Sequence, residues 1–297
     1  MSTLRDPLSA LDPAEAVVPP DRLYYEIGLM LDKDDFLDEQ TYHRGRLARA
    51  LAYLHGSGTA AGLRVRVEPL LPPGADPAFP DGREERLIVE PGVAVDRFGR
   101  LIEVPRTACI RLGRWYDDQD PDLLRQGFHT PSNGVVVDVF VRFNVCERGK
   151  TPAFPVGPFD VIDAVVPARL RDAYLLSLVV REETDPPLPV PRWPDLSEDA
   201  AAPDPAAELT RRRNLLREAI LDAWAEGTAH TDEGGLEPLP EHAAGQDTSD
   251  VFLARLVLPA ADGNPPVRDA TQPVQVLDAD RPLVLTTAAL ARWIGII

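Results

Sequence analysis

The amino-acid sequence predicts an α+β fold, with a mainly antiparallel β body, an N-terminal amphipathic helix and an inserted second helix. Three observations support this class. The 31 prolines of the 297-residue chain cluster in stretches such as VVPP, TPAFPVGPF and DPPLPVPRWP, which are typical of loops because proline lacks a backbone donor. Alternating apolar segments of strand length are joined by turns rather than by regular crossover helices. Two long segments repeat apolar residues at helical spacing.

Four consecutive parts make up the predicted organisation of the chain. Residues 1–22 form an N-terminal arm, and residues 23–190 hold the first helix and most of the β body. Residues 191–249 comprise a Pro-rich linker, the helical insertion and an acidic loop that we expect to be flexible. Residues 250–297 return to the β body as closing strands and a short helix. Within the second part, LYYEIGLML at 23–31 is apolar enough for a short strand or a docked extended segment.

The first helix is predicted in DKDDFLDEQTYHRGRLARALAYLHGSG. Asp34 or Asp35 is expected to cap it, because acidic residues in the first turn suit the helix dipole. Gly56 or Gly58 is expected to end it. One face repeats at a spacing of three to four residues, and we expect it to point into the core. Its members are Phe36, Gln40, His43, Leu47, Leu51 and Leu54.

The junction YLHGSGTAAGLRVRV carries His55, Gly56, Gly58 and Gly62 between this helix and the first predicted strand. A phosphate-binding loop would follow a strand and open a helix, whereas this segment follows a helix and opens a strand. We therefore interpret the junction as a structural corner. In this interpretation His55 packs at the helix end and donates to a backbone carbonyl, and the glycines allow close approach of helix and sheet.

The β body is predicted from four further segments. Leu63, Val65 and Val67 alternate with charged residues, as in a half-buried strand. ERLIVEPGVAVDRFGRLIEV predicts strands with turns at Pro91–Gly92 and at Asp96–Gly99. GRWYDDQDPDLLRQGF is expected to hold one or two helical turns. NGVVVDVFVRFNVCER and ARLRDAYLLSLVVREE each predict a strong strand.

The second helix, near 205–227, carries an apolar stripe that must be covered by its own domain or by another chain. The stripe comprises Leu209, Leu216, Ile220, Ala223 and Trp224. A Pro-rich linker and an acidic loop flank the helix, which suits a segment that projects from the body. We predict that it folds back onto the β body or self-associates.

Charge and composition exclude several functional classes. With 31 Lys and Arg against 48 Asp and Glu, the formal charge is −17, which disfavours nucleic acid and anionic membrane surfaces as partners. No apolar run approaches the roughly 20 residues of a membrane span. The start of the chain lacks the features of a signal peptide, so we expect synthesis in the cytoplasm. The two cysteines, Cys109 and Cys146, are expected to be buried thiols.

No catalytic or cofactor-binding pattern emerges, and we expect a protein that is not an enzyme and needs no cofactor or metal. The five histidines and two cysteines show no metal-ligand spacing. If the chain were an enzyme, His55 with the carboxylate of Asp96 or Asp138 would be the candidate residues. The favoured role is structural or in assembly.

Exposed contacts with partners are expected from aromatic loops and from the second helix. Trp115 and Tyr116 in RWYDD and Trp193 in PRWPD are candidates, and such rings also stack on sugars. Leu216, Ile220 and Trp224 are the candidates on the helix. A carbohydrate- or receptor-binding module of fibre or adhesin type is therefore the alternative to an assembly protein.

Several motifs together resemble a family of phage-tail-like proteins associated with extracellular contractile injection systems. They are DFLDEQTY, LHGSGTAAGLRV, VEPGVAVDRFGRLIEV, a strand ending at Cys146 before a Pro-rich loop, and PVQVLDADRPLVLTTAAL. The resemblance covers residues 23–182 and roughly the last fifty, and the motifs consist of turn glycines and core positions. Residues 57–61 and 204–229 depart from the pattern.

The resemblance implies a non-enzymatic component of a contractile, syringe-like particle, at the baseplate or attached to it. The implied partners are baseplate, sheath or spike proteins and further copies of the chain itself. The implied location is a cytoplasmic particle that is released by lysis of the producing cell.

Overall fold

A computed structural model describes residues 21–152, 165–191, 205–227 and 236–293 of the chain. It has an α+β, mainly β fold with strands in antiparallel sheets and an N-terminal helix, which confirms the predicted class. The predicted N-terminal arm lies almost wholly outside the described residues. Trp193 and the side chain of Trp224 also lie outside the described residues.

Helix α1 spans Lys33–His55 and begins two or three residues earlier than expected. Its N-cap is Asp32 rather than Asp34 or Asp35. The Asp32 carboxylate accepts from the N–H groups of Asp34 (2.8 Å) and Asp35 (3.2 Å), and the Asp35 carboxylate accepts from the Asp32 N–H (2.8 Å). This reciprocal capping box satisfies donors at both ends of the first turn. Gly56 ends the helix, as predicted.

Six short strands follow α1 and form two three-stranded antiparallel sheets. The first sheet, in the order β1-β4-β5, contains Gly58–Gly62, Gly92–Val95 and Leu101–Val104. The second, in the order β2-β3-β6, contains Val65–Glu68, Arg86–Val89 and Ala108–Arg111. Each strand of one sheet runs directly into a strand of the other, so the six strands form three long strands that are bent in the middle.

The bend corrects the prediction of a Pro91–Gly92 hairpin. β3 and β4 are consecutive but pair in different sheets, so Pro91–Gly92 is the corner of one bent strand. Two backbones meet there: a Cβ on Gly92 would lie 2.3 Å from the Ala61 carbonyl oxygen, and a Cβ on Gly62 would lie 2.1 Å from that of Pro91. Only glycine permits this approach. The predicted turn at Asp96–Gly99 does join two paired strands, β4 and β5.

Two short helices, α2 (Leu112–Asp117) and α3 (Pro121–Gln126), lead into a six-stranded sheet. This sheet is antiparallel and has the strand order β11-β10-β8-β7. In addition, β9 pairs with β8 and β12 pairs with β10. Its strands are β7 (Phe128–His129), β8 (Gly134–Pro152), β9 (Val165–Val180), β10 (Val251–Ala261), β11 (Val267–Arg268) and β12 (Gln275–Leu277). The remaining helices are α4 (Pro205–Gly227) and α5 (Thr287–Trp293).

The core lies between the six-stranded sheet and the two bent sheets. Alternate residues of β8, including Val135, Val137 and Val139, pack with Leu87 and Ile102 of the bent sheets. The other face of β8 is also buried, and His242 from residues 236–250 packs on Phe140 there. Residues 134–141 are therefore buried without alternation, as expected for a strand between two layers.

Residues 236–250 correct the prediction of a flexible acidic loop. Leu236, Glu241, His242 and Ser249 are buried, and the ring of His242 lies 5.9 Å from that of Phe140 on β8. The Leu239 N–H donates to His242 Nδ1 (3.2 Å), and His242 Nε2 lies 3.0 Å from the carbonyl oxygen of Asp250. Turns and side-chain hydrogen bonds thus fix this segment without regular secondary structure.

Candidate interaction surface

The predicted corner is where α1 meets the first sheet, but His55 does not pack there as expected. His55 is exposed, because the helix ends immediately after it and its side chain points outward. The glycine-rich segment is itself strand β1. On the edge of β1 that does not pair with β4, Thr59 pairs in parallel with Leu283. A Cβ on Gly58 would lie 2.6 Å from the Pro282 carbonyl oxygen. The corner therefore joins the helix, the sheet and the C-terminal segment.

The three residues considered for catalysis are not arranged as a catalytic group. Asp96 is fully buried in the β4–β5 turn, where it accepts from the N–H groups of Phe98 (3.0 Å) and Arg100 (2.8 Å) and from Arg100 Nε (2.6 Å). Burial raises the pKa of Asp96 despite these donors. Asp138 lies on β8 between two arginines. Both carboxylates thus hold parts of the fold together.

The buried ion cluster at Asp138 connects three segments across the outer face of β8. Asp138 Oδ1 accepts from Arg255 Nε (2.7 Å), and Oδ2 accepts from Arg255 Nη2 (2.9 Å) and Arg181 Nη1 (2.8 Å). The arginines also donate to the carbonyl oxygens of Pro186, Pro187 and Glu241. Because both guanidinium groups are buried, this cluster ties residues 181–187 and 241 to the sheet.

The described part of the chain contains a shallow groove but no cluster of side chains that could hold a metal ion. No group of three or more His, Cys, Asp or Glu side chains is placed to hold a metal ion among those residues. A shallow groove between α1 and the β4–β5 turn, lined by Arg44, Leu47, Phe143 and Asp172 among others, has a volume of about 130 Å³. Pockets for small ligands usually measure about 300–1,000 Å³.

Among the described residues, no helix has both the length and the apolar character required to cross a membrane.

The aromatic residues expected on the surface are largely internal. Tyr116 is 4% exposed, and its hydroxyl donates to the carbonyl oxygen of Pro266 (3.0 Å). Trp115 is half-buried and packs against the core. Helix α2 turns both rings inward because it lies against the bent sheet, so they form no exposed platform for a sugar ring. The prediction that the two cysteines are buried was wrong. Cys109 and Cys146 are exposed, because each lies on the outer face of its strand.

The face predicted to be the inner side of α1 instead points largely to solvent. Three of its four apolar members, Phe36, Leu47 and Leu54, are 52%, 57% and 77% exposed, and the fourth, Leu51, is half-buried. The buried residues of α1 are the small ones, Gly45, Ala48 and Ala52. The prediction failed because larger side chains cannot fit where the β4–β5 turn touches the helix backbone.

Gly99 marks this contact. A Cβ at this position would lie 1.7 Å from the Ala48 carbonyl oxygen, and Gly99 has a φ of +83°. The contact of a glycine turn with a small-residue helix face brings two backbones together. It also rotates the leucines of α1 away from the sheet.

Helix α4 contacts α1 and exposes most of its predicted stripe. Ala223 is buried, whereas Leu209 and Ile220 are about 60% exposed and Leu216 is 37% exposed. We call the exposed apolar residues of the two predicted stripes, one on each helix, the helical face. Its members are Phe36, Leu47, Leu54, Leu209, Leu216 and Ile220.

Residues 21–31, just before α1, add further exposed apolar side chains. Ile27 and Met30 are more than 90% exposed, and Tyr24 is also exposed. This segment is neither a strand nor docked along its length, although the Tyr25 hydroxyl donates to the carboxylate of Glu39 on α1. Exposed apolar residues in such number on adjacent elements are typical of protein–protein contact surfaces.

No protein-family model matches the chain, and no curated protein matches it either.

Proposed function

We propose that this chain is a non-enzymatic assembly protein that binds neighbouring protein subunits through its helical face. The observation that carries the proposal is the exposure of large apolar side chains on both long helices, beside a β body whose own core is closed. Fully burying one such side chain contributes about 1.5–3 kcal/mol. Six of them would supply enough free energy to offset much of the cost of immobilising a partner.

The class of assembly that we propose is a contractile, phage-tail-like injection particle, with the chain at the baseplate or attached to it. This narrower statement rests on the resemblance of the sequence motifs. An exposed apolar face suits such a particle, because its subunits are packed in symmetric rings and discs and bury surfaces of this kind against neighbours.

One experiment tests binding through the helical face. Leu216→Asp with Ile220→Asp places two carboxylates on that face, and both residues are exposed, so we expect circular dichroism to show a folded protein. Incorporation into particles purified from the producing cells, measured by quantitative mass spectrometry, should fall at least about tenfold. Val190→Asp is the matched control, since Val190 is 68% exposed and lies outside the helical face.

Two outcomes would contradict the proposal. If the wild-type chain is absent from intact particles by mass spectrometry and cryo-electron microscopy, the particle assignment is wrong. If the double variant is incorporated as well as Val190→Asp, the helical face is not the contact.

A further inference from the structure

The hairpin formed by β8 and β9 continues well beyond the sheet as a two-stranded ribbon. The strands pair in continuous register from Val137 with Val180 to Pro152 with Val165. Neighbouring strands cover β8 only as far as Val141, where the pairing with β10 ends. From Asn144 outward, most residues of β8 are exposed.

The charged side chains on one face of this ribbon are all basic. Because side chains alternate across a strand, residues 146, 148 and 150 share a face with their partners 171, 169 and 167. We call the four cations on this face the basic ribbon face: Arg148, Lys150, Arg169 and Arg171. All four are exposed.

No carboxylate in the described parts of the chain neutralises the basic ribbon face. Arg142, on the same face but nearer the sheet, pairs with Asp247 (2.7 Å), whereas the four outer cations form no ion pair with any described residue. Arg148 and Arg169 stand directly opposite each other, which is unfavourable for like charges. Within the described residues, a protein with a net charge of −17 thus concentrates positive charge without carboxylate partners on this face.

A complementary acidic surface lies near the opposite end of β8. The turn between α2 and α3 exposes four aspartates within six residues, and we call them the acidic turn: Asp117, Asp118, Asp120 and Asp122. The nearby arginines are engaged elsewhere, since Arg114 pairs with Glu84 and Arg125 with Asp262. Within the described residues, none of the four aspartates forms an ion pair.

The two surfaces cannot meet within one chain. The acidic turn leads through α3 and β7 to the start of β8, where Phe128 pairs with Val135. Arg148 lies fourteen residues after Gly134, the first residue of β8, and about 45 Å from it at roughly 3.3 Å per residue. Opposite charges near the two ends of one long strand favour head-to-tail contact between two molecules.

We propose that the basic ribbon face docks on the acidic turn of a second copy of this chain. Such a contact is heterologous, and its repetition produces a ring or a filament. Four charges on each side form a network, which is worth more than isolated surface pairs and remains sensitive to salt. The inference does not depend on the class of particle proposed above, nor on the helical face.

Charge exchange between the two surfaces tests this contact. One variant carries Arg148→Glu with Arg169→Glu, and a second carries Asp118→Lys with Asp122→Lys, which spares the α3 cap at Asp120. Sedimentation velocity at about 0.05 M salt should show concentration-dependent association of the wild type and its loss at about 0.5 M. Each variant alone should associate at least about tenfold more weakly, and an equimolar mixture should recover wild-type association, because both contacts are then complementary again.

A matched control separates the contact from a general effect of net charge. Arg22→Glu with Arg106→Glu changes the net charge as much as the ribbon variant does, at two exposed arginines elsewhere, and should associate like the wild type. Circular dichroism should show that all variants are folded.

Three results would overturn the proposal. In the first, the wild type stays monomeric at low salt. In the second, each variant alone associates like the wild type. In the third, the equimolar mixture of the two variants fails to recover association. Retention of monomeric wild type on heparin, lost in the ribbon variant, would assign the basic ribbon face to a polyanion instead. None of these results bears on whether the chain occurs in particles, so failure here and failure of the proposed function are distinguishable.

Discussion

Replacing Asp138 by asparagine should remove the charge that holds two buried arginines in place. The carboxylate accepts three hydrogen bonds of 2.7–2.9 Å from Arg181 and Arg255, and its side chain is fully buried. Asparagine keeps the shape but offers a single acceptor oxygen, and its amide N–H groups face the guanidinium donors. Arginine stays protonated in proteins, so two positive charges would remain buried with only carbonyl oxygens and Glu183 as partners.

The expected cost follows from this geometry. Removing one partner of a buried ion pair costs about 3–5 kcal/mol. For a chain of this size, each kcal/mol lowers Tm by about 2 °C, so Asp138→Asn should lower Tm by about 6–10 °C. Differential scanning calorimetry and urea unfolding measure the change.

The matched control for Asp138→Asn is Glu84→Gln. Glu84 also pairs with two arginines, but its side chain is 49% exposed, so Glu84→Gln should lower Tm far less than Asp138→Asn does. Equal and small effects of the two substitutions would refute the argument that burial makes the Asp138 cluster critical.

Three further predictions concern packing, protonation and thiol exposure. Gly99→Ala should detach α1 from the sheet and increase the amide hydrogen exchange of α1, because the new Cβ would overlap the Ala48 carbonyl. The control is Gly113→Ala, where the Cβ meets open space, and this variant should leave the amides of α1 protected from exchange. Burial lowers the pKa of His242 below its usual value of about 6.5. The stabilisation that the neutral His242 ring gives the folded protein should therefore be complete above that pH and decline below it. His242→Asn should weaken this decline in the free energy of unfolding, measured by urea unfolding at a series of pH values. Both cysteines are exposed, so two thiols per native chain should react with a thiol reagent such as DTNB before unfolding.

Local signals in the sequence were sufficient to predict where the main helices, strands and one turn form. The long strands β8 and β9, the helices α1 and α4, and the turn at Asp96–Gly99 follow from periodicity and turn chemistry, which depend on near neighbours along the chain. The α+β class follows from the same signals, because a series of strands without crossover helices leaves few other arrangements.

The direction in which a periodic face points was not predictable in the same way. Phe36, Leu47 and Leu54 do lie on one stripe of α1, as their spacing requires, but the stripe points outward. The contact of Gly99 with the backbone at Ala48 decides this orientation, and it joins residues about fifty positions apart. The sequence carries a signal for it only in the small residues on the opposite side of the helix.

The proposed interaction surfaces likewise depend on tertiary structure. Sequence alone places four cations in two separate strands and four aspartates in a turn, within a chain that is acidic overall. The pairing register of β8 with β9 brings the cations onto one face, and the length of β8 separates them from the aspartates. Periodicity therefore determined which residues share a face of each element. Only long-range pairing and packing decided which faces remained exposed, because those contacts join residues that are distant in the sequence.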